Sequence, residues 1–257
     1  MGWLPAMAAL LSALLIQIGT NLHNDAADYE RGTDGPDRVG PLRVTAAGWA
    51  SAAAVRRAAG YSFGLALLLG LYLAWVGGLP IIVIGLASLV AGWAYSGGPR
   101  PISHTALGEL FVLGFFGLVA VGGSYWLQVR GVSLSTFLAG LVVGLPAAAV
   151  LLVNNYRDLD SDTRSGRRTL AAVLGAGMTQ HLYSGLMLAP FAIILWLGFT
   201  ASIGSWVALL ALPVVVPLIA ELKRCPRGPE LNPLLAATAR AGMVTGLLMA
   251  TGLSLIG

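Results

Sequence analysis

Two short stretches of this 257-residue chain concentrate its carboxylates, and their spacing points to chemistry on a cation. In "NLHNDAADYERGTDGPD", Asn21, Asn24, Asp25 and Asp28 fall at i, i+3, i+4 and i+7, so a helix stacks them on one face. In "NNYRDLDSDTRSGRR", Asn155, Asp158 and Asp162 fall at i, i+3 and i+7, a second stripe. Asp160 lies about 200° from Asp158 around such a helix and points elsewhere. Carboxylates one turn apart repel each other. Near a membrane each also risks a desolvation cost of up to ~3 kcal/mol. Two such stripes therefore call for a cation. Asp and Asn without a companion Cys or His pattern offer only oxygen, which suits Mg²⁺ better than zinc or copper. Mg²⁺ held by one or two carboxylates completes its shell with water and substrate phosphate. Arg43, Arg157, Arg164, Arg167 and Arg168 stand beside the stripes and can donate bidentately to phosphate oxygens. A solvated acidic loop paired with those arginines is the plainer reading of one cluster, and two face-matched clusters weigh against it.

The elements that must carry these residues are apolar. The chain is 57% hydrophobic and 10% charged, with a mean hydropathy of +0.80, outside the range of soluble domains. Eight apolar runs, 3–22, 58–77, 80–96, 107–128, 134–154, 180–199, 204–221 and 236–256, are each long enough to approach or span the hydrocarbon as helix. Their continuity excludes the alternating pattern of a barrel. The composition predicts an all-α polytopic membrane protein, with residues 1–257 forming one domain. The first run lacks a basic start and leads straight into the acidic motif, so it is not read as a signal peptide. Gly32 and the "DGPD" turn signals end the helix that carries the first stripe.

Threading the runs as alternating crossings puts loops 23–57, 97–106, 155–179 and 222–235 on one side. Those loops hold nearly all the arginines and lysines, so they are expected on the cytoplasmic side. The basic balance of +4 thus reflects topology and not a nucleic-acid partner. Cys225 stands alone and excludes an intrachain disulfide. A helix followed by an acidic loop recurs after about 130 residues, which hints at an internal duplication.

"NDAADYERGTD" and "DLDSD" resemble the two aspartate-rich motifs of the UbiA superfamily of intramembrane aromatic prenyltransferases. "GPLRVTAAG", "YSGGPRPISHTALGELFV", "NNYRDLDSDTRSGRRTLAAVLG" and "LNPLLAATAR" are similar to stretches of its 1,4-dihydroxy-2-naphthoate polyprenyltransferases of menaquinone biosynthesis. The resemblance implies a helical bundle around a central cavity, in the cell (inner) membrane, with both motifs at the cytoplasmic mouth. It implies Mg²⁺ as cofactor, held with a polyprenyl diphosphate by Asn24, Asp25, Asp28, Asp158 and Asp162. The four aspartates would carry catalysis. Substrate contacts would come from Asn21, Asn24, Asn155, Arg164 and Arg168, with Arg43 and Arg100 as further candidates. Asp34 would be the first motif's last acid. Members of the superfamily usually have nine membrane helices, and eight runs are visible. The expectation is that the family's first helix precedes this start; a bundle that closes differently without it is the alternative.

The chemistry implied is ionisation of an allylic diphosphate and capture of the carbocation by an electron-rich ring, with loss of the acceptor's carboxylate as CO₂. Another aromatic acceptor, such as 4-hydroxybenzoate, is an open alternative, as is a membrane transporter using intramembrane acids. The acids gather at one face, whereas a transporter places some at mid-membrane. Tyr95, Phe111 and Tyr156 are candidate shields for a cation. Glu109 opens the fourth run and is read as a partner for Arg100 or as a proton acceptor. His23, His104 and His181 are read as non-catalytic. Roles for Asp37 and Asp160 are not evident from spacing.

Overall fold

A computed structural model of the chain describes residues 2–32 and 40–256. Asp34, Asp37 and Arg38 lie outside the described residues. Among the described residues there is no strand, and eight helices are long and apolar enough to cross a membrane. In chain order the helices are α1 (Trp3–Glu30), α2 (Ala52–Gly77), α3 (Leu79–Ser96), α4 (Gly108–Val129), α5 (Leu134–Arg157), the short α6 (Leu159–Arg164), α7 (Leu170–Thr200), α8 (Ile203–Arg224) and α9 (Pro229–Ile256). The all-α polytopic reading holds, and each of the eight apolar runs lies at least largely within one crossing.

Several helices outrun their apolar segments, because polar caps and not hydropathy set their ends. α2 starts six residues before its run, where the Ser51 hydroxyl accepts from Ala54 N at 3.3 Å. α7 starts at Leu170, ten residues early, with Thr169 capping Ala172 N at 3.4 Å. The first turns of α7 end at a kink at Gly175, whose φ of 70° only glycine adopts freely.

The chain divides into two compact units. The first contains α1, α2, α3 and the end of α4, residues 123–131. Small residues let its helices close: Gly19 of α1 faces the Phe63 ring, where a Cβ would sit 3.1 Å from it. Ser62 donates to Leu15 O at 2.8 Å, and Trp126 donates to Gly77 O at 2.9 Å. Bonds of this kind matter between helices in lipid, where hydrophobicity does not drive association.

The second unit contains residues 105–122 and 132–257. Here α4 and α5 cross with backbones in contact, since a Cβ on Gly117 would lie 2.5 Å from Gly140 O and 2.7 Å from Gly144 Cα. The stretch of α4 at this crossing, Leu113–Val119, is wound as a π-helix, a form common at functional sites. The core of this unit gathers Leu152, Val153, Tyr156, Tyr183, Met187, Ile194, Leu222 and Leu234, all almost fully buried. Its polar atoms are paired: the Tyr183 and Thr238 hydroxyls lie 2.8 Å apart, and Gln180 Nε2 donates to Tyr156 OH at 2.9 Å. Tyr156 is thereby fixed in the core.

Candidate active site

The first acidic stripe sits on the last two turns of α1. Asp25 and Asp28 are both buried, at 6% and 5% exposure, so each needs compensation. For Asp25 it comes from the segment after the loop: Val44 N donates to Oδ2 at 3.0 Å and Thr45 N to Oδ1 at 3.3 Å. The Thr45 hydroxyl also donates to Oδ1. Asp28 accepts from Arg43 Nη2 at 3.2 Å. With the Asn24 amide turned so that donors meet acceptors, its nitrogen donates to Asp28 Oδ2 at 2.7 Å and Ser96 Oγ at 3.2 Å. Its oxygen then accepts from Arg43 at 3.1 Å. Asn24, Asp28 and Arg43 therefore form one network, and Asp25 anchors the returning chain. Asn21, a turn earlier on the same face of α1, is exposed, and Arg100 is also exposed. Neither joins that network.

His23 falls off the stripe, as its spacing predicts. It lines a separate recess of about 320 Å³ with Arg31, Arg56 and Trp93.

The second stripe departs from the continuous helix that its spacing predicts. The chain leaves helical geometry at Asp158 (φ −93°, ψ 6°), ending α5 at Arg157, and α6 begins at Leu159. The break costs little, since Asp158 N still bonds Asn154 O at 3.2 Å and Asp162 N bonds Asp158 O at 2.8 Å. Arg157 is not a free phosphate donor. It is 5% exposed and grips Asp158 with two bonds, Nε–Oδ1 at 2.8 Å and Nη2–Oδ2 at 2.6 Å. Its remaining donors reach Asn232 Oδ1 at 2.8 Å and Asn154 Oδ1 at 3.0 Å. Asp162 is 5% exposed, with Arg167 Nη1 at 3.6 Å and the Thr169 hydroxyl at 3.3 Å. Burial raises its pKa above the usual carboxylate value; Arg167 opposes that rise and Asp158 adds to it.

The Asn155 amide is already engaged within the second unit: it donates to Glu109 Oε1 at 2.8 Å. Glu109, read from sequence as a partner for Arg100 or as a proton acceptor, has Asn155 and not Arg100 as its partner. Asp160 pairs with Arg227 at 3.2 Å on the exposed surface. Arg164 and Arg168 are exposed and make no side-chain bond among the described residues. Sequence reasoning missed Thr45 and Asn232. Nothing in a one-dimensional pattern ties a threonine twenty residues downstream to Asp25.

Among the described residues, no three His, Cys, Asp or Glu side chains converge on one point. The donors on offer are nonetheless carboxylate and amide oxygens, a hard set that fits Mg²⁺ completed by phosphate and water. The same set does not fit a structural zinc, which needs four protein ligands of N or S type.

The described residues thus form an all-helical membrane fold that carries two carboxylate clusters, each beside arginines. The UbiA prenyltransferase family matches residues 2–249, and the chain belongs to that family. It is 35% identical over 252 residues to a 1,4-dihydroxy-2-naphthoate octaprenyltransferase of Mycobacterium tuberculosis, covering 98% of this chain and 86% of the relative. It is 33% identical over 260 residues to the Escherichia coli protein of the same name, covering 98% and 84%. Among solved structures, an apo UbiA homolog from Aeropyrum pernix superposes with a TM-score of 0.72 at 14% identity, covering 98% of this chain and 91% of that one. A UbiA homolog from Archaeoglobus fulgidus bound to DMAPP and Mg²⁺ gives 0.69 at 16% identity, covering 98% and 88%. The protein is a multi-pass membrane prenyltransferase.

Proposed function

We propose that the protein transfers a polyprenyl group from a polyprenyl diphosphate to 1,4-dihydroxy-2-naphthoate, with loss of CO₂, to give the demethylmenaquinone skeleton. The observation that carries this reading is the near-full-length likeness to the mycobacterial and enterobacterial relatives named for that acceptor. The reaction would run at the cytoplasmic face of the cell membrane, where the positive-inside rule puts the arginine-bearing loops.

Asn24, Asp25, Asp28, Asp158 and Asp162 are the proposed Mg²⁺ ligands. When bound, Mg²⁺ would offset charge growing on the diphosphate as the allylic C–O bond breaks. The carboxylates' own duties follow from their partners. Asp25 ties residues 44–45 to α1 and so steadies Arg43 beside Asp28. Arg164 and Arg168, exposed and without side-chain bonds among the described residues, are suited to donate bidentately to the departing diphosphate oxygens. Apolar helices would keep water from the allylic cation until the ring attacks it.

The test is purified protein with Mg²⁺, several prenyl diphosphates and competing acceptors, with products identified by mass. Prenylated, decarboxylated naphthalenediol is expected. Product from 4-hydroxybenzoate alone would reassign the acceptor.

A further inference from the structure

Glu109 carries an oxygen that the fold leaves without a partner. It stands in the first turn of α4, 5% exposed, and its Oε1 accepts from Asn155 Nδ2 at 2.8 Å. Its Oε2 is enclosed and has no hydrogen bond. A buried carboxyl oxygen left unbonded is costly, and such atoms in native proteins call for an explanation. The placement is built with care. Gly108 presses α4 onto α5, since a Cβ there would lie 3.1 Å from Leu151 Cδ2. That approach brings Glu109 to Asn155, one helical turn before Asp158, a rise of roughly 4.5 Å along α5.

The parts of the reaction can be sorted by what they offer this oxygen. A diphosphate is anionic and is repelled by a carboxylate. A prenyl tail has no donor. A metal finds only one oxygen, because Asn155 presents its NH₂ and no three-ligand group exists among the described residues. A hydroxyl on an aromatic ring is the remaining component with a hydrogen to donate. We infer that Glu109, oriented by Asn155, binds the aromatic acceptor by accepting a hydrogen bond from a ring hydroxyl at Oε2. The inference rests on the proposed prenyl transfer to a hydroxylated aromatic. The bond fixes the ring's orientation, and the carboxylate draws the hydroxyl hydrogen toward itself, enriching the ring that attacks the allylic carbon. A site built around such a bond rejects rings that lack the hydroxyl.

The test compares wild-type protein with Glu109→Gln in lipid nanodiscs. Gln keeps the bond from Asn155 and turns a donor toward the ring. The KM for dihydroxynaphthoate should rise at least about tenfold while the KM for the prenyl diphosphate stays within about twofold. The inhibition constant of 2-naphthoate, which has no hydroxyl, should not change. Equal rises in both KM values, or equal weakening of 2-naphthoate, would show that Glu109 only pins α4 to α5 and would overturn the inference. If Glu109→Gln does not fold, wild type decides: 2-naphthoate binding as tightly as the hydroxylated acceptor overturns it, and binding about a hundredfold weaker supports it. Failure of wild type to prenylate any hydroxylated aromatic would instead defeat the functional reading beneath it.

Discussion

Thr45 meets Asp25 three ways, donating its backbone N–H and its hydroxyl to one carboxylate oxygen and its hydroxyl also to the Asp25 carbonyl at 3.4 Å. The residue that the sequence marks as a metal ligand is therefore also the clasp that returns the chain to α1. Thr45 is 3% exposed, so no water can replace a lost hydroxyl. We expect Thr45→Val to cost about 1–2 kcal/mol of stability. Because Arg43 precedes the clasp, the KM for prenyl diphosphate should rise as well. Thermal unfolding in detergent and steady-state kinetics check both.

Arg157, itself buried, holds the half-buried Asp158 with two bonds. Arg157→Leu strips the counter-charge from Asp158 and from two asparagine oxygens, and should cost about 1–3 kcal/mol. Asp158→Asn keeps the shape and should lose much less stability, yet prenyl transfer should fall at least about a hundredfold. A variant as active as wild type would remove Asp158 from the proposed site.

Exposed arginines should behave differently. Arg164→Gln combined with Arg168→Gln touches no internal bond, so the melting temperature should hold. The KM for prenyl diphosphate should rise about tenfold or more, since two charge-assisted contacts are lost. The contrast with Arg157→Leu separates substrate binding from folding.

Asp162 brings a pH dependence. Its pKa is raised by burial, so the folded state holds the proton more tightly than the unfolded chain. Its stability contribution is present at low pH and is lost as pH rises through the folded value. As a proposed Mg²⁺ ligand Asp162 must be ionised, so the Mg²⁺ requirement should increase as pH falls through that same value, above the usual aspartate range. Arg167→Gln removes an opposing charge and should move this acid limb to higher pH. Activity against Mg²⁺ concentration from about pH 5 to 8 measures the limb.

Steric closure of the α4–α5 crossing gives a last expectation. Gly117→Val places a branched side chain where a Cβ alone would lie 2.5 Å from a carbonyl oxygen. The variant should lose folded yield outright, measured by size-exclusion chromatography in detergent, whereas Gly114→Ala, in open space on the same helix, should not.

The membrane architecture was legible because its signal is hydropathy, which is local and repeated eight times. The acidic stripe of α1 was legible for a similar reason: Asn24, Asp25 and Asp28 lie within one helix, and spacing alone fixes their common side. What stayed hidden was pairing across the chain. Nothing in "NNYRDLD" separates Arg157, which is buried against Asp158, from Arg164, which is exposed. The difference is made by Asn232, 75 residues away. The break at Asp158 was also invisible, since no Gly or Pro marks it. The bond from Asn155 to Glu109 was hidden too, because it depends on Gly108 letting α4 come close.

The arginine pairings carry one more consequence. Asp28 rests on Arg43, Asp158 on Arg157 and Asp162 near Arg167, so each of these three acids already has its own counter-ion. A lone cation arriving there competes with a guanidinium, and a lone diphosphate competes with a carboxylate. A diphosphate already carrying its cation offers each group a new partner of the right sign. At the proposed site the exchange would be nearly charge-neutral, so the complex would bind in preference to either of its ions.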